Sequence, residues 1–133
     1  MGICTEIEAA FDTQLATLAT PPPIAWPNTD YKPVEGTLFI RPTLMPATGA
    51  LNTIAGSYLN KGFYQVDVFC PLDKGTASLN TWLDAIFTLF SGTKTLTASS
   101  QNIFIQDIIP GKAERQDGWY HGFIEIHYSC YTN

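Results

Sequence analysis

The chain has 133 residues, 12 acidic against 7 basic side chains, and a formal charge of −5; it is 45% hydrophobic and only 14% charged. That length fits one domain, spanning 1–133, able to bury roughly two-thirds of its unfolded surface. An aromatic content of 13% argues against disorder. The acidic balance argues against a phosphate-gripping nucleic-acid binder, and no apolar run reaches the ~20 residues that span a bilayer. Charge this sparse, against roughly 25% in typical domains, implies that other protein covers part of the surface.

The start, Met1 to Glu6, has no basic segment followed by an apolar one, so it does not read as a secretory signal. Glu6 stands where the myristoylation pattern requires Ser or Thr. Cys4, Cys70 and Cys130 are odd in number and widely spaced. That favours reduced thiols, with Cys70 and Cys130 as small core residues, over a disulfide framework or a zinc site.

Thr5 followed by Glu8 fits a capping box opening a first helix, with Glu6 and Glu8 at the positive end of its dipole. Ile7, Ala10, Phe11, Leu15 and Leu18 then recur at helical spacing and form one apolar stripe. Pro21, Pro22 and Pro23 end it, because proline lacks the amide donor. From Ile24 to Pro33 the prolines predict extended chain or an edge strand. Thr37 to Leu44 predicts a strand whose Pro42 places it at an edge or a bulge. Residues 45–60 are small, weakly polar and nearly uncharged, and are expected to form a long functional loop.

Gly62 to Cys70 alternates cleanly, with Tyr64, Val66, Val68 and Cys70 on the expected core face and Phe63, Gln65, Asp67 and Phe69 on the other. A turn over 71–75 leads to a second helix, N-capped by Thr76 and stopped at Ser91 and Gly92. Its apolar face carries Leu79, Trp82, Leu83, Ile86, Leu89 and Phe90. Three strands close the chain, over 94–97, 102–109 and 118–131, the last with Ile124, Ile126, Tyr128 and Cys130 on one face. Between them a loop over 110–117 holds the densest charge, at Lys112, Glu114, Arg115 and Asp117. Adjacent strands without intervening helices favour antiparallel pairing. The expected class is therefore α+β: a mainly antiparallel sheet of five or six strands with two helices on one face.

Catalytic patterns are sparse. Asp73-Lys74-Gly75-Thr76 lacks the order of a phosphate loop. His121, Glu125 and His127 share a strand face, but six residues at ~3.4 Å hold the histidines ~20 Å apart. One zinc ion, with ligands at ~2.0–2.2 Å, cannot bridge that span. No Gly-x-Ser-x-Gly elbow is present. Asp67 and Asp84 are unremarkable alone, and neither an enzyme nor a cofactor is expected. An enzymatic or ligand-binding alternative would draw on Asp67, His121 and His127.

Three stretches carry a resemblance. Pro23-Ile24-Ala25-Trp26-Pro27-Asn28 with Tyr31-Lys32-Pro33 is one, and Gly62 to Pro71 followed by Gly75 and the helix through Trp82 to Ile86 is another. The third is Gly118-Trp119-Tyr120 with Ile124 to Tyr128. Taken in order, they resemble the phage tail-terminator family; Pro27 and Cys70 depart from its usual acidic and aromatic residues. The resemblance implies a small α+β virion subunit, assembled in the host cytoplasm, that forms a hexameric ring at the head-proximal end of a long tail. Its partners would be other copies of itself, the tail-tube protein it caps and the head–tail connector or stopper it receives. The runner-up roles are a tail-tube or a connector subunit. No membrane is implied, and DNA would pass the acidic lumen without specific binding.

A ring requires a heterologous contact between two different patches. The expected contact residues are Leu51, Ile54, Tyr58 and Leu59 in the 45–60 segment, and Lys112, Glu114, Arg115 and Asp117 in the charged loop. Deleting residues 48–57 is expected to leave a folded monomer that forms no ring.

Overall fold

The computed structural model describes residues 3–18, 22–51, 58–73, 75–92, 95–98, 101–116 and 118–132. Among the described residues two helices, α1 (Ile3–Leu15) and α2 (Ala77–Ser91), accompany six strands: β1 (Phe39–Leu51), β2 (Tyr58–Pro71), β3 (Thr95–Ala98), β4 (Gln101–Pro110), β5 (Glu114–Gln116) and β6 (Trp119–Thr132). All strands join one antiparallel sheet in the order β1-β2-β6-β4-β3, with β5 pairing the start of β6. The expected α+β class, with five or six strands and two helices, is the observed one.

Alternation decides the layers. Tyr64, Val66, Val68 and Cys70 of β2 and Ile124, Ile126, Tyr128 and Cys130 of β6 all lie in the core, under both helices. The helices answer with Ile7, Phe11 and Leu15 from α1 and Leu79, Leu83, Ile86 and Phe90 from α2. Trp82 and Leu89 pack at the margin. Each buried aliphatic or aromatic side chain contributes about 1.5–3 kcal/mol against full exposure. Phe11 is the hub: its ring stacks on Tyr64 at 4.7 Å and meets Tyr128 at 5.6 Å and Phe90 at 5.9 Å. Cys70 and Cys130 are buried as small core residues. Burial pushes the Cys70 thiol up to about 11, which keeps it protonated and unreactive at neutral pH.

Four local expectations are corrected. The first helix already includes Ile3, so Thr5 and Glu8 lie inside it and do not form its capping box. Thr76 does occupy the N-cap of α2, but its backbone is helical and its side chain makes no capping bond. The 45–60 segment is not one long loop: β1 runs to Leu51 and β2 begins at Tyr58, in register through Leu51↔Tyr58. Sequence reading missed this because Thr, Gly and Ala give no alternation, and the partner strand supplies the ladder instead. The charged 110–117 stretch is likewise not all loop, since Glu114–Gln116 pair with Trp119–His121 as β5.

One polar contact is set into the helix layer. The Tyr64 hydroxyl donates to Asp12 Oδ1 at 2.5 Å. Burial raises the Asp12 carboxyl above its ordinary 3.8; the Tyr64 bond opposes that rise and nearby Glu8 adds to it. The folded chain thus holds this proton more tightly than the unfolded one. The resulting stabilisation is complete below the ordinary value and is lost as pH rises through the raised one. Asp12→Asn keeps an acceptor for Tyr64 and removes the titration. Thermal melts from pH 3 to 7 should show a flatter decline for this variant, and at pH 7 a Tm no lower than that of the parent.

Candidate functional site

The candidate contact residues divide between the two ends of the sheet. At one end, Leu51 of β1 pairs with Tyr58 of β2, Leu59 pairs with Ala50, and Tyr58 also pairs with Thr132 at the close of β6. Ile54 lies outside the described residues. At the other end, β5 sets Glu114 opposite His121 and Arg115 opposite Tyr120. Lys112 is exposed on the link before β5, and Asp117 lies outside the described residues. Arg115 reaches back to Asp73 at 2.6 Å, in an ion pair exposed on both sides. Such a pair contributes little, ~0–1 kcal/mol. From His121 to Thr132 is eleven residues of β6, about 36 Å at strand rise. The two groups are therefore separate patches, not one site.

The sheet face away from the helices carries what sequence reading passed over. Its first end is an aromatic cluster: Phe39 stacks on Phe69 at 4.7 Å and meets Trp119 edge-on at 5.1 Å, with Ala25 and Tyr31 packed beside them. The 22–36 segment thus covers this corner. A parallel bridge between Ile24 and Ile40 pins it there.

Next along the same face, Asp67 is 5% exposed. Its Oδ1 accepts from Gln65 Nε2 at 2.9 Å and lies 2.7 Å from His121 Nε2. Phe69 stacks on the His121 imidazole at 4.7 Å, and the Arg41 guanidinium lies over the Phe69 ring at 4.9 Å. Alternation alone placed Asp67 on the face opposite the core set. The available signal was the company it keeps, since Phe63 and Phe69 on that face show that it too is partly covered. Gly111 crosses the Phe123 ring so closely that a Cβ there would come within 2.1 Å of it.

His127 pairs with Glu125 at 3.1 Å, on the same face but apart from the Asp67–His121 pair. The raw material of the enzymatic alternative is thus split between two different carboxylates. Two of the open grooves among the described residues lie along α2. One, about 380 Å³, runs between α2 and β4 along Phe87, Phe90, Ile105 and Ile108. The other, about 450 Å³, runs between the helices along Leu18, Trp82, Ala85 and Leu89. Met45, Phe104 and Ile109 add exposed apolar area on the sheet face away from the helices.

The described residues thus show exposed apolar side chains, two separated edge patches, a buried Asp67–His121 contact and a half-buried Glu125–His127 contact. The chain belongs to the phage tail terminator family, whose model matches residues 6–128. A solved structure, known by a sequence label alone, is 26% identical, with a TM-score of 0.76 and 99% of each chain covered. No curated protein sequence matches the chain. Family membership gives it a structural role in a phage tail and makes it a component of the virion.

The buried cluster supports a stability test. Asp67→Ala leaves His121 and Gln65 without their shared acceptor and should cost about 1–3 kcal/mol in urea unfolding. Asp67→Asn retains an acceptor oxygen and should cost less.

Proposed function

We propose that this chain is the ring-forming terminator of a long phage tail. Copies, six by the family resemblance, close into a ring that caps the finished tube at its head-proximal end. The ring stops further tube growth and then presents a surface to the head–tail connector. It performs no catalysis, requires no cofactor and assembles in the host cytoplasm. The family match over residues 6–128 carries this reading.

The geometry agrees with it. A closed ring joins one patch to a different patch on the next copy. We take the β1–β2 end with Leu51, Tyr58 and Leu59 and the β5 end with Lys112, Glu114 and Arg115 as two such patches, about 36 Å apart by strand rise; Ile54 and Asp117, also expected contacts, lie outside the described residues. Each contact would bury ~800 Å² per partner, for which exposed Met45, Phe104 and Ile109 offer apolar area. Acidic charge, −5 per copy, suits a lumen along which DNA slides without lasting contacts.

Electron microscopy of the purified protein, alone and mixed with tails, tests the proposal. Closed rings, found at one end of each tail, are the expected result. Self-made open tubes would assign the tube role instead, and a solitary chain at high concentration in both samples would overturn ring formation. The β1–β2 register sharpens the deletion test. Removing 48–57 also takes away the pairs Thr48↔Lys61 to Leu51↔Tyr58. Replacing only residues 52–57 with Asn-Gly, a two-residue hairpin turn, spares that ladder. This variant should elute as a folded monomer by sizing chromatography; normal rings would remove residues 52–57 from the interface.

A further inference from the structure

The sheet ends in two long edges, and such edges are templates for strand addition by another copy of the same chain. Along β1, the direction of each amide follows from the strap that crosses it. Ala25 N–H donates to the Ile40 carbonyl at 2.8 Å, and Ile40 N–H donates to the Pro23 carbonyl at 3.0 Å. Ile40 therefore points its backbone groups outward, away from β2. Antiparallel ladders alternate, so residues 42, 44 and 46 point outward as well. Two of these three are prolines, Pro42 and Pro46, which have no N–H to offer. A register shift between Pro46 and Thr48 follows at once. Over this stretch Leu44 alone keeps an outward donor.

The opposite edge repeats the arrangement with different parts. The short strand β3 covers β4 only as far as Phe104. Beyond it, the ladder with β6 shifts register between Ile105 and Asp107. Gly111 N–H donates to the Phe123 carbonyl at 2.8 Å, so by alternation Ile108 and Pro110 face outward. Pro110 again has no donor, and exposed Asp107 stands between the bulge and Ile108. On this edge too, one outward amide remains between a bulge and a proline.

We propose that Pro42 and Pro46 on β1, with Pro110 and the bulge on β4, bar a second copy of this chain from extending the sheet. Copies then meet through side chains, and each sheet ends within its own subunit. A contact made this way closes in a ring without leaving a ladder that could recruit strands indefinitely. The inference deepens the ring reading and, for the wild-type assembly, rests on it.

Two measurements test it. Pro46→Thr, at an exposed position, and the double variant P42T/P46T restore outward amides in a β-favouring residue. Both should shift to earlier elution than the wild type and gain thioflavin T fluorescence, with the far-ultraviolet spectrum unchanged. An unchanged size distribution for folded Pro46→Thr would overturn the proposal. If the double variant fails to fold, amide exchange on the wild type decides. The Leu44 N–H should exchange as fast in the assembly as in the monomer, whereas strong protection on assembly would show a shared ladder and overturn the proposal. A wild type that never assembles defeats the ring reading alone, and Pro46→Thr still tests the guarded edge.

Discussion

The pairing of β2 with β6 is the constraint on which the other elements depend. It runs without a register shift from Tyr58↔Thr132 to Pro71↔Trp119, the full 14 residues of each strand. Because side chains alternate with period two, this one register settles the face of every residue on both strands at once. It stacks Tyr64, Val66 and Val68 beside Ile124 and Ile126 as a floor for the helices. On the reverse it sets Asp67, Phe69 and His121 side by side. A slip of one strand by one residue would turn either Asp67 or His121 to the helix face and part it from the other, leaving a buried polar group without its partner.

The two faces of the sheet are buried by different means. The helix side is a continuous apolar core into which the Tyr64–Asp12 hydrogen bond is set. The other side is covered in patches, by the 22–36 segment at one corner and by polar pairs in the middle. Towards the hairpin end of that face, Met45 and Phe104 remain exposed. A chain with this little charge has few ways to hydrate such a face, so the apolar remainder favours cover by neighbouring protein.

The proposed ring would draw on this arrangement. Rigid ladders hold two patches at fixed separation along β6, and a closed ring needs both the separation and the angle to be constant. Asp67 and Glu125 each take a different histidine.

Both helix stripes, the core face of β2 and β6, the antiparallel order and the edge position of Pro42 could be read from periodicity and proline alone, because these depend on neighbours three, four or two residues away. The family resemblance rested on similar local signals. Three features were settled only when strands met. Residues 45–51 became strand by pairing with β2, Glu114–Gln116 became strand by pairing with β6, and Asp67 became buried because His121 arrives opposite Phe69. Each is a contact between residues distant in the chain, where hydrogen bonding and desolvation outweigh local preference. Residue order carries the periods; register, the burial of polar groups and the direction of edge amides come from the sheet as a whole.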